Sequence, residues 1–213
     1  KDGHFYSRQW EFLPKVIHEE GIRSNWLHHF LFSKVIPDTR TGIDWLERFN
    51  RNSKSEGTHS FLDSYLSIVI ILRTTIVWLK VLWKSFFMSK LERVFRPVNS
   101  SANLWPLLKD DWYRSFRGSY AIQNALNVEL LDVMLGSLPK QSLGLYLYEG
   151  QGWESAFIHM WRKHKHGKLI AVSHSTVRFW DLRNFSDIRT FDEKSTLIPQ
   201  PDFIAVNGPV AKK

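Results

Sequence analysis

An α/β fold is predicted for this chain: a Rossmann-like parallel sheet flanked by helices, preceded by a helix-rich N-terminal portion. Three observations predict it. "LGLYLYE", "KLIAVSHS" and "DFIAVNG" are short apolar runs in the last third of the sequence, and strands covered on both faces read as such continuous runs. Between the first two lies "GQGWESAFIHMWRKHKHG", with Trp153, Ala156, Phe157, Met160 and Trp161 at helical spacing, so strand, helix and strand follow one another as a βαβ unit. The first hundred residues instead carry apolar positions three or four apart, the helical period.

Taken in order, "SRQWEFLPKVIHEE" reads as a helix closed by Gly21, and "TGIDWLERFNRN" as a second opened by Thr41. "GIRSNWLHHFLFSKVIP" between them is polar enough at first for a loop and apolar enough later to be buried. "FLDSYLSIVIILRTTIVWLKVLWKSFFM" is the most apolar stretch, but Asp63, Arg73, Lys80 and Lys84 interrupt it, short of the roughly 18 uncharged residues of a spanning helix. Its cations share one side of a helix, Ile76, Val77, Trp83, Phe86 and Phe87 another. Two readings follow: a core helix with a solvated basic edge, or a helix resting on a membrane through Lys80, Lys84, Lys90 and Arg93. "PVNSSANLWP" reads as a connection. Asp110 is placed to cap "DWYRSFRG", and "SYAIQNALNVELLDVMLGSLP" is a helix ended by Gly136 and Pro139. The expected organisation is a helix-rich portion over 1–96, a linker over 97–109 and an α/β portion over 110–213.

A hydrophobic fraction of 43% with 23% charged residues excludes a disordered chain. The absence of cysteine excludes a disulfide framework and thiolate zinc, and points to a reducing compartment. "KDGHFYSRQWEF" has no apolar h-region, so a cytoplasmic location is expected, with peripheral contact at the inner face of the plasma membrane if the basic helix docks there. The start at Lys1 without methionine, and the stop just after a strand-like segment, lead to the expectation of a fragment. A net charge of +8 favours a polyanion: nucleic acid, anionic lipid or a phosphorylated substrate. No DNA- or RNA-binding signature accompanies the basic patches, so nucleic acid is the weakest of these. Ten tryptophans and fifteen phenylalanines exceed the usual needs of a core and are expected to line a groove or meet a membrane.

Ligands of open α/β sheets bind outside the carboxyl ends of the strands. Here those ends carry Glu149 with "GQG", His174 with "STVRF", and Asn207. Gly150 and Gly152 allow a sharp turn that leaves N–H groups facing an anion at a helix start, although the dinucleotide fingerprint is incomplete. Glu149, closing an apolar strand, is placed for general-base work in a desolvated cleft, or else braces the sheet against Arg114 or Arg117. Glu154 lies in the first turn of the helix, where a carboxylate stabilises the N-terminus without any further role. His174 either binds an oxyanion or phosphate or bonds a neighbouring loop. His164 and His166 lie in a cationic helix end with no metal spacing, and there is no nucleophile elbow or Walker loop.

"GIRSNWLHHF", "WYRSFRGS", "YLYEGQGWESAF", "IAVSHSTVRFWDLR" and "PQPDFIAVNGP" occur in an order that resembles bacterial surface-carbohydrate biosynthesis proteins, GT-B-type glycosyltransferases of O-antigen and capsule clusters, from about Gly21 to Pro209. The resemblance implies one half of a GT-B architecture, the N-terminal acceptor-binding half, without the donor-binding half. It implies no cofactor, a nucleotide sugar as donor and a glycan or lipid-linked acceptor. Glu149 or Glu154 would be the base and His174 would lie beside the donor's anionic group, with Gly150, Gln151, Gly152, Asn25, Trp26 and Asn207 contacting substrate. A non-catalytic carbohydrate- or phosphate-binding module is the alternative.

Overall fold

The computed structural model describes residues 5–52, 57–88, 93, 95, 101–173, 198–206 and 208. They form an α/β structure of two compact units, Lys1–Tyr65 with Met134–Lys213, and Leu66–Val133.

In the first unit, α1 (Leu13–Glu19) carries Pro14 in its first turn, where the fixed φ of proline fits, and the chain turns away at Gly21 with φ 62°. The strand β1 (Ser24–His28), the helix α2 (Thr39–Asn52) and the strand β2 (Gly57–Phe61) then make a parallel pair, registered Ser24↔Gly57 through His28↔Phe61. The N-terminal portion is helix-rich as expected, but this parallel pair is an addition that the sequence reading of a loop and a buried stretch between the helices does not include. "SNWLH" and "GTHSF" are too short and too polar to signal strands by themselves. Side chains hold them: Asn50 of α2 donates to the His59 carbonyl at 2.9 Å and accepts the His59 N–H at 2.6 Å, serving β2 as a substitute strand neighbour. Leu62–Tyr65 follows as one turn of 3₁₀ helix.

The second sheet of this unit has the order β3 (Leu143–Leu147), β4 (Lys168–Val172), β5 (Phe203–Ala205), all parallel. Its β3–β4 crossover contains the helix α6 (Gly152–Lys163). Tyr146, Leu169, Ala171, Phe157 and Trp161 are buried. His166 ties the sheet to the preceding helix: Nδ1 accepts the Gln141 N–H at 3.1 Å and Nε2–H donates to the Leu135 carbonyl at 3.0 Å, which fixes a neutral ring. The strand β5, expected to be buried, is an exposed edge, with Phe203 56% exposed.

The other unit consists of α3 (Ile68–Phe86), α4 (Trp105–Phe116) and most of α5 (Ser119–Ser137). Ser67 caps α3 by accepting the Ile70 N–H. The helix α4 starts inside the expected linker, because Pro106 fits its first turn, and Asp110 sits mid-helix instead of capping it. Arg117 donates from Nε to Ser85 Oγ at 2.9 Å and covers the Phe86 ring at 4.3 Å, fastening the ends of α3 and α4. Among the described residues, no helix is long and apolar enough to cross a membrane.

Candidate functional site

The carboxyl end of β3 carries the candidate site. Tyr148 N–H donates to the Val172 carbonyl at 2.9 Å, so the ladder persists just past β3. The chain then turns through Glu149, Gly150 and Gln151 into α6, with Gly150 at φ 72°, a left-handed conformation costly for residues bearing a Cβ. Glu154, third in the helix and 4% exposed, reaches back: its Oε1 accepts the Glu149 N–H at 2.9 Å and the Gln151 N–H at 2.8 Å. The N–H groups that the glycine turn offers to an anion are therefore engaged by the chain's own carboxylate.

Burial pushes the Glu154 carboxyl above the usual range, and the Glu149 charge adds to this, while the N–H donors of Gln151 and Glu149 oppose it. Beneath it, the Tyr146 phenol is raised first by burial and then by the Glu154 charge, and its Oη is buried without a hydrogen-bond partner.

The structure thus brings Glu149, Gly150, Gln151, Gly152 and Glu154 together on one turn. Glu149 is half-buried; Gly150, Gln151 and Gly152 are exposed. Next to them, the Trp153 ring lies 4.8 Å from that of His29, the residue after β1, joining the carboxyl ends of the two parallel sheets. The His29 imidazole is lowered by burial, opposed by the charge of Asp63, which follows β2.

Asn25 and Trp26 lie on opposite faces of β1 and part company. The Asn25 amide donates to Gln141 Oε1 at 3.1 Å and accepts from Thr58 Oγ1 at 2.6 Å, bracing the two sheets. Trp26 instead walls a cavity of about 240 Å³ with Phe5, Tyr6, Glu11, His18 and His59. His174, Asn207 and Lys90 lie outside the described residues. Lys80, Lys84 and Arg93 are exposed in the helical unit.

Sequence reasoning missed a pair of histidines behind this cavity. His28 Nε2 lies 3.1 Å from His59 Nδ1, and the rings are stacked at 5.4 Å and 11°. Burial lowers both to about 4, each helped by a neighbouring imidazole, His29 for His28 and His28 for His59. A signal existed in "NWLHH": once it is read as a strand, Trp26 and His28 share a face. Among the described residues, no group of three His, Cys, Asp or Glu side chains is placed to hold a metal ion.

No protein family, curated protein or solved structure matches the chain.

Proposed function

We propose that this chain is the acceptor-binding portion of a GT-B glycosyltransferase in bacterial surface-polysaccharide synthesis, with Glu149 as its base. One observation carries the assignment of the base. Glu149 stands at the carboxyl end of β3, in a turn whose N–H groups are pinned by the buried Glu154, so one carboxylate holds the loop while its neighbour stands at the edge where ligands of such sheets bind. The order of the five segments quoted above supports the enzyme class.

In this reading, Glu149 takes the proton of an acceptor hydroxyl as its oxygen bonds to the anomeric carbon of the donor sugar; the bond from that carbon to phosphate breaks, and the nucleotide leaves with the electron pair. Trp153, half-buried beside His29, offers an aromatic face to the C–H side of a sugar ring. Glu154 acts through Glu149 and is a positioning residue.

The test compares Glu149→Gln and Glu154→Gln with wild type in the complete gene product, by transfer of radiolabelled sugar to membrane acceptors and by thermal melting. Loss of a positioned base is expected to reduce transfer about 10²–10⁴-fold at an unchanged melting temperature. A fully active Glu149→Gln enzyme would sink the assignment. The binding-module alternative places a carbohydrate or phosphorylated ligand at the same Glu149–Glu154 turn without chemistry, and would be favoured if Glu149→Gln kept function while Trp153→Ala, beside that turn, lost glycan binding.

A further inference from the structure

The helix α3 is turned inside out. Its outward stripe is Ile68, Leu72, Ile76, Leu79, Trp83 and Phe86, spaced four, four, three, four and three residues apart along one face. These side chains are 49–77% exposed. The residues it buries are Ile70, Thr74 and Ser85, and Thr74 Oγ1 has no hydrogen-bond partner there. An amphipathic helix serving only a core would show the reverse arrangement. Such a contiguous apolar stripe on a surface marks an interaction site.

Charge selects the occupant. Arg73, Lys80 and Lys84 are exposed along one flank of the stripe, and α3 contains no Asp or Glu. A twofold copy packed on this face would bring these cations toward their own images with no acid on the helix to neutralise them. An anionic lipid surface meets both features at once: acyl chains accept the apolar stripe and head groups the cations. A helix of 19 residues is about 28 Å long, but it falls short of the apolarity of a span; lying in the interface is the geometry that fits. Trp83 and Phe87, in contact at 4.9 Å, put aromatic rings at its C-terminal end, and such rings favour the head-group level.

We propose that α3 docks this protein on an anionic phospholipid leaflet, its apolar stripe entering the interface while Arg73, Lys80 and Lys84 engage the head groups. This does not depend on the glycosyltransferase reading.

The experiment is flotation of the complete chain with vesicles of phosphatidylcholine, alone or mixed with phosphatidylglycerol, over a range of salt. Wild type is expected to float with the mixed vesicles and to be left behind by phosphatidylcholine alone. Lys80→Gln with Lys84→Gln is expected to weaken partitioning by about fivefold per lysine, and Leu72→Gln with Trp83→Gln to abolish it. All four positions are exposed, and circular dichroism and melting of both variants confirm that they fold. Three results would overturn the proposal: no flotation of wild type with either vesicle, flotation that survives Leu72→Gln with Trp83→Gln, or light scattering showing a dimer that this pair of substitutions dissolves, which would make the face a self-interface.

Discussion

At the scale of single residues, the site turns on two carboxylates five positions apart that do different work. Glu154 is buried and receives two backbone N–H groups, and hydrogen bonds to a charged group each contribute about 1.5–3 kcal/mol. Glu154→Ala is therefore expected to lower stability by at least about 2 kcal/mol, read from urea unfolding, whereas Glu149→Gln is expected to leave it unchanged. Equal losses in the two variants would mean that Glu149 is also a structural brace. The stacked histidines make a second prediction. Their folded values, about 4 against an ordinary 6.5, are depressed, so the unfolded chain binds protons first as the solution is acidified. Their contribution is complete above about pH 6.5 and is lost as the pH falls toward about 4. Protonating both rings would also set N–H against N–H across the 3.1 Å contact. Melting temperatures are expected to fall across this window in wild type, and the fall to be shallower in His59→Phe. The same pH slope in both would show that the pair does not control acid stability.

At the scale of elements, two of the three parallel pairs among the described residues, β1–β2 and β3–β4, start beside a glycine packed against the partner segment's backbone. A Cβ on Gly57 would lie 2.1 Å from the Ser24 carbonyl oxygen, and one on Gly167 would lie 2.0 Å from that of Ser142. Backbone cannot give way as a flexible side chain can, so Gly57→Ala and Gly167→Ala are each expected to cost about 1–3 kcal/mol by opening the start of a ladder. Unfolding midpoints equal to wild type would show that the strands part without penalty. The β3–α6–β4 unit was legible because its strands are continuous apolar runs and its helix keeps one apolar face from Trp153 to Trp161. The parallel pair β1–β2 was not, because what makes it a sheet lies elsewhere in the chain: the Asn50 amide on His59 and the rings of Phe5 and Phe49 around that imidazole. The turn at Gly150 was visible as a turn; that Glu154 would fill its N–H groups followed from spacing alone and was read only as a charge near a helix end. For α3 the period was plain, but periodicity does not say which face turns outward.

At the scale of the whole molecule, the chain leaves the first unit at Tyr65 and returns to it at Met134, so that unit is made of two segments distant in sequence. Asn25 meets Gln141 and His29 meets Trp153 across this division. Enclosing the intervening residues costs little, because loop-closure entropy rises only about 0.6 kcal/mol per doubling of length. A break in the chain inside the helical unit therefore removes one covalent link and leaves these contacts in place. Ser101 and Ala102 are exposed, between α3 and α4, and both units span this point, the helical one through Arg117 on Ser85. A protease site placed between Ser101 and Ala102 is expected to give two fragments that co-elute in native buffer and separate only in denaturant. Fragments that part in native buffer would mean that neither unit holds together without the covalent chain, and that the contacts between segments are too weak to position the Glu149 turn against β1.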